Sequence, residues 1–219
     1  MSEHPPTRWE QLGDTLDSPY ARAHRELPGP DRDVDGEARL ADVLLPRGGR
    51  VLDAGAGIAR VSHSLVRRGH DVTAVEKDPA LIAVTRELYP EVTVVESDIL
   101  ALTPALLEAH GRPTAYDVVV VVGNVMIYLA DDTEVIALRT LAALLVPGGR
   151  LLVGFHPQEG PPGSRDYPVA TFLEHARAAG LQADLVAGTW DLRPPSDDYV
   201  LAVLSAAPTG VTPEVTSGR

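Results

Sequence analysis

Short runs of β-branched residues alternate along the chain with longer stretches in which apolar residues recur every three or four positions. This alternation predicts strands separated by helices, the pattern of a parallel α/β sheet. Five strands are predicted in this part of the chain, at residues 50–54, 71–76, 91–96, 116–122 and 149–155. The nearly unbroken valine run of the fourth indicates a central strand covered on both faces.

Helices are predicted at residues 58–68, from Pro79 onward, and at 104–109, 131–145 and 169–179, with N-terminal ones within 9–16, 20–27 and 36–45. The sequence Pro147-Gly148-Gly149 is expected to stop the helix before it, and Gly180 suits the end of the last helix. After a Pro/Gly loop at 158–164 come two strands, at 181–191 and 198–206, joined by a short turn at 193–196. Strands joined so closely must run antiparallel. The prediction is an α/β, doubly wound sheet that ends in an antiparallel hairpin.

These elements divide the 219 residues into three parts. Residues 1–35 are predicted to form a helical arm, 36–206 one folded domain, and 207–219 a disordered tail rich in Pro, Thr, Ser and Gly.

Charge and composition limit the kinds of molecule that this protein is expected to bind and the compartment in which it is expected to work. The formal net charge is −12, and no local stripe of Lys and Arg offsets it, so nucleic-acid binding is not expected. No apolar run is long enough to span a membrane, and no signal peptide is visible. The chain has no cysteine, which fits a cytoplasmic location, and its Ala, Arg and Pro content suggests a GC-rich bacterial gene.

The segment VLDAGAGIAR at residues 51–60 carries the first chemical signal. The first strand delivers Asp53 at its carboxyl end, and Gly55 and Gly57 then form a tight turn into a helix. Ligands of open α/β sheets bind at this edge, and glycine lets them approach the backbone closely. Taken alone, such a turn occurs with or without a ligand.

Two further carboxylates follow neighbouring strands. Glu76 closes the second strand, 23 positions beyond Asp53, where it can accept hydrogen bonds from both hydroxyls of a ribose. Asp98 follows the third strand and can accept from an adenine amino group. Each has an alternative role as a helix-end charge or cap, but together with the glycine turn they indicate an adenosine ligand.

The choice among adenosine ligands depends on two positions. A dinucleotide site would have a third glycine at position 60, where this chain has arginine. Asp53 beside the turn is unfavourable for a pyrophosphate but suits a ligand with an ammonium and a sulfonium group, namely S-adenosylmethionine. A nicotinamide-dependent oxidoreductase remains an alternative.

The ordered motifs VLDAGAGIAR, DVTAVEKD, VVESDIL, YDVVVVVGNVMIYLA and LLVPGGRLLVGF resemble those of the class I S-adenosylmethionine-dependent methyltransferases, in particular the bacterial members that act on small molecules. The resemblance covers roughly residues 35–206. It implies a Rossmann-like seven-stranded sheet in the order 3-2-1-4-5-7-6 with the last strand antiparallel. It also implies that a methyl group is moved from S-adenosylmethionine to an acceptor.

The resemblance assigns cofactor-binding roles to residues at the ends of four strands. These are Asp53, Ala54, Gly55 and Gly57 for the methionine and ribose part, Glu76 for the ribose, Lys77 covering adenine with its aliphatic stem, Asp98 and Ile99 at the adenine edge, and Gly123 and Asn124 near the transferring methyl. Two positions depart from the family pattern. Ala59 replaces a glycine that serves close helix–strand packing in the family, and Ile58 is bulkier than the usual small polar residue.

The acceptor is a small molecule that the sequence does not identify. The stretch from Asn124 lacks the Asn/Asp-Pro-Pro-aromatic signature of enzymes that methylate amino groups of bases or glutamine. Asn124 and His156 are the candidate catalytic residues, with His156 as a general base, although a loop histidine beside a proline often has no such role. A lid formed from the arm and the 158–164 loop is expected over the acceptor, so that deleting residues 1–30 would weaken turnover more than cofactor binding.

No histidine has a partner at i+4 or a cluster of carboxylates, so no metal site is predicted. A protein of the same fold that binds S-adenosylmethionine without catalysis is the second alternative. The oligomeric state is not indicated by the sequence.

Overall fold

The structure is a computed structural model that describes residues 4–13 and 34–207. Its strands are β1 (Arg50–Ala54), β2 (Asp71–Glu76), β3 (Thr93–Glu96), β4 (Tyr116–Val121), β5 (Leu145–Phe155), β6 (Leu181–Ala187) and β7 (Val200–Ala206). They form one sheet in the order β3-β2-β1-β4-β5-β7-β6. Pairing is parallel from β3 through to β5, and β7 is antiparallel to both of its neighbours. The predicted fold and strand order are confirmed.

Helices cover both faces of this sheet. They are α1 (Gly36–Leu44), α2 (Arg60–Arg67), α3 (Pro79–Leu88), α4 (Pro104–Ala109), α5 (Val125–Tyr128), α6 (Glu134–Ala142) and α7 (Val169–Ala178), with 3-10 turns at Glu10–Leu12 and Ile99–Ala101. Val119 and Val121 of β4 pack into the core under α4 to α7, whereas Val118 and Val120 pack into the core under α1 and α2. The valine run is therefore buried on alternate faces, as predicted for a central strand.

The connection from β4 to β5 differs from the prediction. The helix is shorter than 131–145, and β5 begins at Leu145 instead of at Gly149, the last residue of the Pro-Gly-Gly sequence. Leu145 pairs with Tyr116, and the next pair is Arg150 with Val118, so the intervening residues bulge out of the ladder. Proline cannot donate to a sheet, and a bulge is one of the few places in a strand where it is tolerated.

The predicted turn between the last two strands is also wrong. β6 ends at Ala187 and β7 begins at Val200, so residues 188–199 form a long connection. This loop folds back on itself, with the N–H of Gly188 donating to the carbonyl of Arg193 at 2.9 Å. A Cβ on Gly188 would lie 2.5 Å from the carbonyl oxygen of Pro194, so the fold of the loop depends on glycine there.

Other differences are at element ends and in the arm. β3 and α2 each begin two residues later than predicted. Of the helix predicted within 9–16, residues 9–13 contain only the 3-10 turn Glu10–Leu12. Residues 14–16, the helix predicted at 20–27 and the tail from 208 lie outside the described residues. The division into arm, domain and tail stays a prediction.

Candidate active site

The carboxyl ends of β1, β2 and β4 open onto a cavity of about 940 Å³. This is the edge at which open α/β sheets bind ligands, and the volume lies within the ~300–1,000 Å³ of small-molecule sites. Ten predicted site residues line it: Asp53, Gly55, Gly57, Glu76, Lys77, Asp98, Ile99, Gly123, Asn124 and His156. Ala54 is not among the residues that line it, and its fully buried side chain packs into the apolar core, so a contact with the cofactor through its backbone stays a prediction.

Gly55 shapes the turn that leaves β1. Its φ is +77°, and its N–H donates to the carbonyl of Val75 at 2.9 Å, which ties the turn to β2. A Cβ at this position would lie 2.7 Å from Cγ2 of Val125, the first residue of α5. Glycine is therefore required at position 55 for both the backbone conformation and the close approach of α5.

The two departures from the family pattern have different consequences. Ala59 has φ +58° and ψ +32°, in the left-handed region, and is fully buried. A glycine at this position would relieve backbone strain. Sequence reasoning explained the family's glycine by helix–strand packing alone and missed this conformational reason. Ile58 is only 1% exposed and packs with Leu81 and Val84, so its bulk is largely directed into the core.

Replacing Gly55 with alanine tests the role of the turn. The new methyl group collides with Val125 in addition to straining the backbone, so we expect weaker binding of S-adenosylhomocysteine and a free energy of unfolding lower by roughly 2–4 kcal/mol. The matched control is Gly69→Ala, which has φ +89° but open space around its Cβ. It should lower stability by only about 1–2 kcal/mol and leave binding unchanged, as measured by urea unfolding and calorimetry. Equal effects of both substitutions would contradict the role assigned to Gly55.

Glu76 organises the backbone around the cavity. Its Oε2 accepts the N–H of Gly57 at 2.8 Å, and its Oε1 accepts the N–H groups of Lys77 and Asp78 at 2.8 and 2.9 Å. Burial raises the pKa of Glu76, and these three donors oppose that rise. Because an ionised carboxylate accepts about four hydrogen bonds, there is room for one more donor, fewer than the two ribose hydroxyls expected from sequence.

Asp53 is a buried carboxylate at the end of β1. It is 3% exposed, and its Oδ2 accepts the hydroxyl of Ser62 at 2.6 Å. Burial raises the pKa of Asp53 to about 6, although the Ser62 hydrogen bond and the charge of Arg60 oppose this rise. The side chain is thus mostly ionised at neutral pH, where it attracts a cationic ligand group.

Lys77 and Asp98 are joined at the other end of the cavity. Lys77 Nζ lies 2.6 Å from Asp98 Oδ2, while Asp98 Oδ1 accepts the N–H of Leu100 and caps the 3-10 turn. The same ammonium lies 2.8 Å from Glu10 Oε2. Sequence reasoning assigned only the aliphatic stem of Lys77 and did not foresee these ion pairs, since Glu10 is far from both residues along the chain.

Asn124 and His156 are hydrogen-bonded to each other. Asn124 Oδ1 accepts both the backbone N–H and the ring Nδ1 of His156, each at 2.9 Å. The backbone N–H of His156 can only donate, so the Asn124 atom that faces it must be the amide oxygen. The ring Nδ1 faces the same oxygen and must therefore carry a hydrogen. Partial burial lowers the pKa of His156, with Asp198 opposing. The neutral ring therefore keeps a lone pair on Nε2, which has no hydrogen-bond partner among the described residues.

Sequence reasoning missed several residues that line the same cavity. Trp190 and Tyr199 come from the loop before β7, and the Tyr199 ring centroid lies 5.0 Å from that of His156 and 5.7 Å from that of Trp190. Gly154 leaves room for both, because a Cβ there would lie 2.8 Å from the indole and 2.5 Å from the phenol oxygen. Only the fold of the 188–199 loop brings them here, so no local signal marked them.

Comparison with known proteins agrees with this geometry. A family model described as a methyltransferase domain matches residues 51–149. A TehB-like S-adenosylmethionine-dependent methyltransferase from Corynebacterium glutamicum is 33% identical, with 85% of this chain and 96% of that chain covered and a TM-score of 0.74. The chain belongs to the S-adenosylmethionine-dependent methyltransferases.

Curated relatives of this methyltransferase match over shorter segments. A ubiquinone biosynthesis O-methyltransferase from Xanthomonas euvesicatoria is 35% identical over 106 residues, which are 48% of this chain and 42% of the relative. The ribosomal RNA small subunit methyltransferase A of Chlorobium chlorochromatii is 33% identical over 64 residues, 29% of this chain and 24% of the relative. The matched segments thus span less than half of either relative.

These comparisons confirm the predicted family and S-adenosylmethionine as its cofactor, and the relatives named are bacterial, as predicted. No helix within residues 4–13 and 34–207 of the methyltransferase is long and apolar enough to cross a membrane. Across the same described ranges, no group of three or more His, Asp or Glu residues is arranged to hold a metal ion.

Proposed function

We propose that this methyltransferase transfers the methyl group of S-adenosylmethionine to a small-molecule acceptor bound beside His156. The residues around the cavity fit the cofactor. Asp53 presents a carboxylate for its ammonium group, Glu76 has room for one hydroxyl donor, and a Cβ on Gly123 would meet only open space. The remaining assigned contacts are Gly55, Gly57, Lys77, Asp98, Ile99 and Asn124.

S-adenosylmethionine supplies a methyl group already activated by its sulfonium. The protein therefore has to align the acceptor and exclude water, and alignment alone can contribute roughly 7–11 kcal/mol. The aromatic side chains Trp190 and Tyr199 form an enclosing wall for an acceptor at this end of the cavity. Burial raises the pKa of Tyr199, so its phenol stays protonated and can donate a hydrogen bond.

The hydrogen bond between Asn124 and His156 is the observation that carries the proposal. It fixes the ring so that Nε2 is the basic nitrogen of the neutral form. We propose that Nε2 removes the proton from an acceptor hydroxyl or N–H as it is methylated, and that Asn124 holds the ring in this tautomer. A catalytic base would not be needed by a protein that only binds the cofactor.

A small acceptor is favoured over RNA by the charge of the protein. One curated relative is named for ribosomal RNA, but the present chain has a formal net charge of −12 and would repel a phosphate backbone. Another curated relative is named for ubiquinone biosynthesis, which makes a small molecule. The location in the cytoplasm stays a prediction.

The proposal is tested with purified protein, S-adenosylmethionine and a panel of phenols, heteroaromatic N–H compounds, primary amines and a short RNA. We expect S-adenosylhomocysteine to be released with a member of the small-molecule set. Methylation of RNA alone would contradict the proposal, and binding of the cofactor without any turnover would favour a sensor. Tight binding of a nicotinamide dinucleotide alone, by calorimetry, would favour an oxidoreductase.

Replacing His156 with glutamine should lower kcat by roughly 10²–10⁴-fold with the acceptor found in this way, because the general base is lost. The acidic limb of the pH–rate profile should disappear, while affinity for S-adenosylhomocysteine stays unchanged. His110→Gln, at an exposed position after α4, is the control and should behave as the wild type.

Independently, ¹⁵N NMR of the wild type should show His156 protonated on Nδ1 at neutral pH. A ring protonated on Nε2 would contradict the assignment.

A further inference from the structure

Residues 7–12, here called the N-terminal strap, lie against the methyltransferase domain at the mouth of the cavity. The strap is anchored by Arg8, whose backbone N–H donates to the carbonyl of Tyr128 at 3.0 Å. The Arg8 guanidinium also binds both carboxylate oxygens of Asp131, at 3.0 and 3.1 Å. A two-point contact of this kind fixes the orientation as well as the position of the strap.

Trp9 is the largest side chain of the strap and lies on the cofactor side. It packs against Ile58 and Leu81, and its indole Nε1 donates to Asp78 Oδ2 at 3.0 Å. Thr7 and Trp9 line the same cavity as Glu76, Lys77 and Asp98. The strap therefore borders the same cavity as the residues assigned to ribose and adenine.

A chain of charges links the strap to the adenine edge. The Lys77 ammonium lies between Glu10 Oε2 of the strap at 2.8 Å and Asp98 Oδ2 at 2.6 Å. Partial burial alone would raise the pKa of Glu10, but the contacts with Lys77 and Thr7 outweigh it and lower that pKa. Both partners are thus charged at neutral pH, and Lys77 is only 21% exposed.

We propose that the strap is part of the cofactor site and controls how long the cofactor is retained. Trp9 covers the adenosine end of the cavity, and the ion pair between Glu10 and Lys77 keeps the strap in contact with the domain. This inference rests on the proposed function. The lid over the acceptor stays a prediction. What the strap adds is an expected effect on the cofactor, because loss of the strap weakens cofactor binding itself.

The chain contains two tryptophans, Trp9 and Trp190, so the variant Trp190→Phe leaves Trp9 as its single fluorescent indole. In this background we expect S-adenosylhomocysteine to change Trp9 fluorescence on binding. Stopped-flow displacement then gives the release rate. Glu10→Gln removes one charge with little change in shape and should speed release by about 3–5-fold, the range of a partly exposed ion pair.

Salt supplies a second readout that a merely structural role of Glu10 would not produce. Raising ionic strength to about 1 M should speed release from the parent protein but have much less effect in the Glu10→Gln variant. Trp9→Ala, followed by calorimetry, should weaken binding by about tenfold or more through loss of the indole wall. Glu108→Gln, on the exposed face of α4, is the matched control and should release at the parent rate.

A release rate that is the same in the parent and Glu10→Gln proteins, together with unchanged calorimetric affinity in Trp9→Ala, would overturn the role of the strap. Such a result leaves the proposed function intact, because the cofactor still binds. If the parent protein fails to bind S-adenosylhomocysteine at all, the proposed function and the inference both fail. Circular dichroism and thermal unfolding of each variant show whether the domain itself remains folded.

Discussion

Replacing Glu76 with alanine is expected to weaken binding of S-adenosylhomocysteine by at least ~100-fold and to destabilise the folded protein by several kcal/mol. The substitution removes the acceptor of three backbone N–H groups, those of Gly57, Lys77 and Asp78. A buried donor left without a partner costs about 1–3 kcal/mol, so the glycine turn and the start of α3 lose their common support together. Calorimetry measures the affinity, and urea unfolding measures the stability.

Two controls separate the charge of Glu76 from its shape. Glu76→Gln keeps the size but directs an amide N–H₂ at one of the backbone donors, so an intermediate loss of affinity is expected. Glu96→Ala removes an exposed carboxylate from the position that pairs with Glu76 in the neighbouring strand, and should change neither property much. Wild-type affinity in Glu76→Ala would refute its assignment to the site.

Binding of S-adenosylhomocysteine should also fall in mildly acidic solution, because of Asp53. Burial raises the pKa of Asp53 to about 6, and the ligand's ammonium group stabilises the ionised form. Above this pH, Asp53 is already charged and affinity is constant. Below it, the ligand must displace a proton, so affinity falls by up to about tenfold per pH unit until the pKa of the complex is reached.

Variants at and beside Asp53 make this prediction specific. Asp53→Asn should weaken binding at neutral pH by roughly 30–100-fold and abolish the pH dependence, since no group is left to titrate. Ser62→Ala removes a hydrogen bond that lowers the pKa of Asp53, so the midpoint of the affinity curve should move to higher pH. A flat curve for the wild type between pH 5 and 8, measured by calorimetry, would contradict the charge pairing.

The sequence predicts the central sheet well because its signals are local. β1 and β2 have the predicted bounds, since each is a short, mainly apolar run that begins at a polar residue and is followed by turn or helix signals. Asp53 and Glu76 could be found because parallel strands deliver their last residues to one edge. Family motifs supplied the strand order, which periodicity alone does not give.

Features that depend on distant contacts were not predictable in the same way. From the sequence, Pro147 is predicted to end a helix. In the structure it lies in a bulge of β5, and the pairing of β5 with β4 sets the register of that strand. Trp190 enters the cavity because Gly36 and Gly154 leave space on either side of it. Glu10 meets Lys77 across 67 positions. Such contacts follow from the assembled fold and have no signature in a short stretch of sequence.

We infer that the cavity at the ends of β1, β2 and β4 binds S-adenosylmethionine. Diffraction from crystals grown with saturating S-adenosylhomocysteine tests it most directly. We expect one ligand in this cavity, with its ammonium group at Asp53, its ribose at Glu76, its adenine beside Asp98 and its sulfur facing Asn124. A cavity that stays empty at saturation, or a ligand bound elsewhere on the protein, would contradict it.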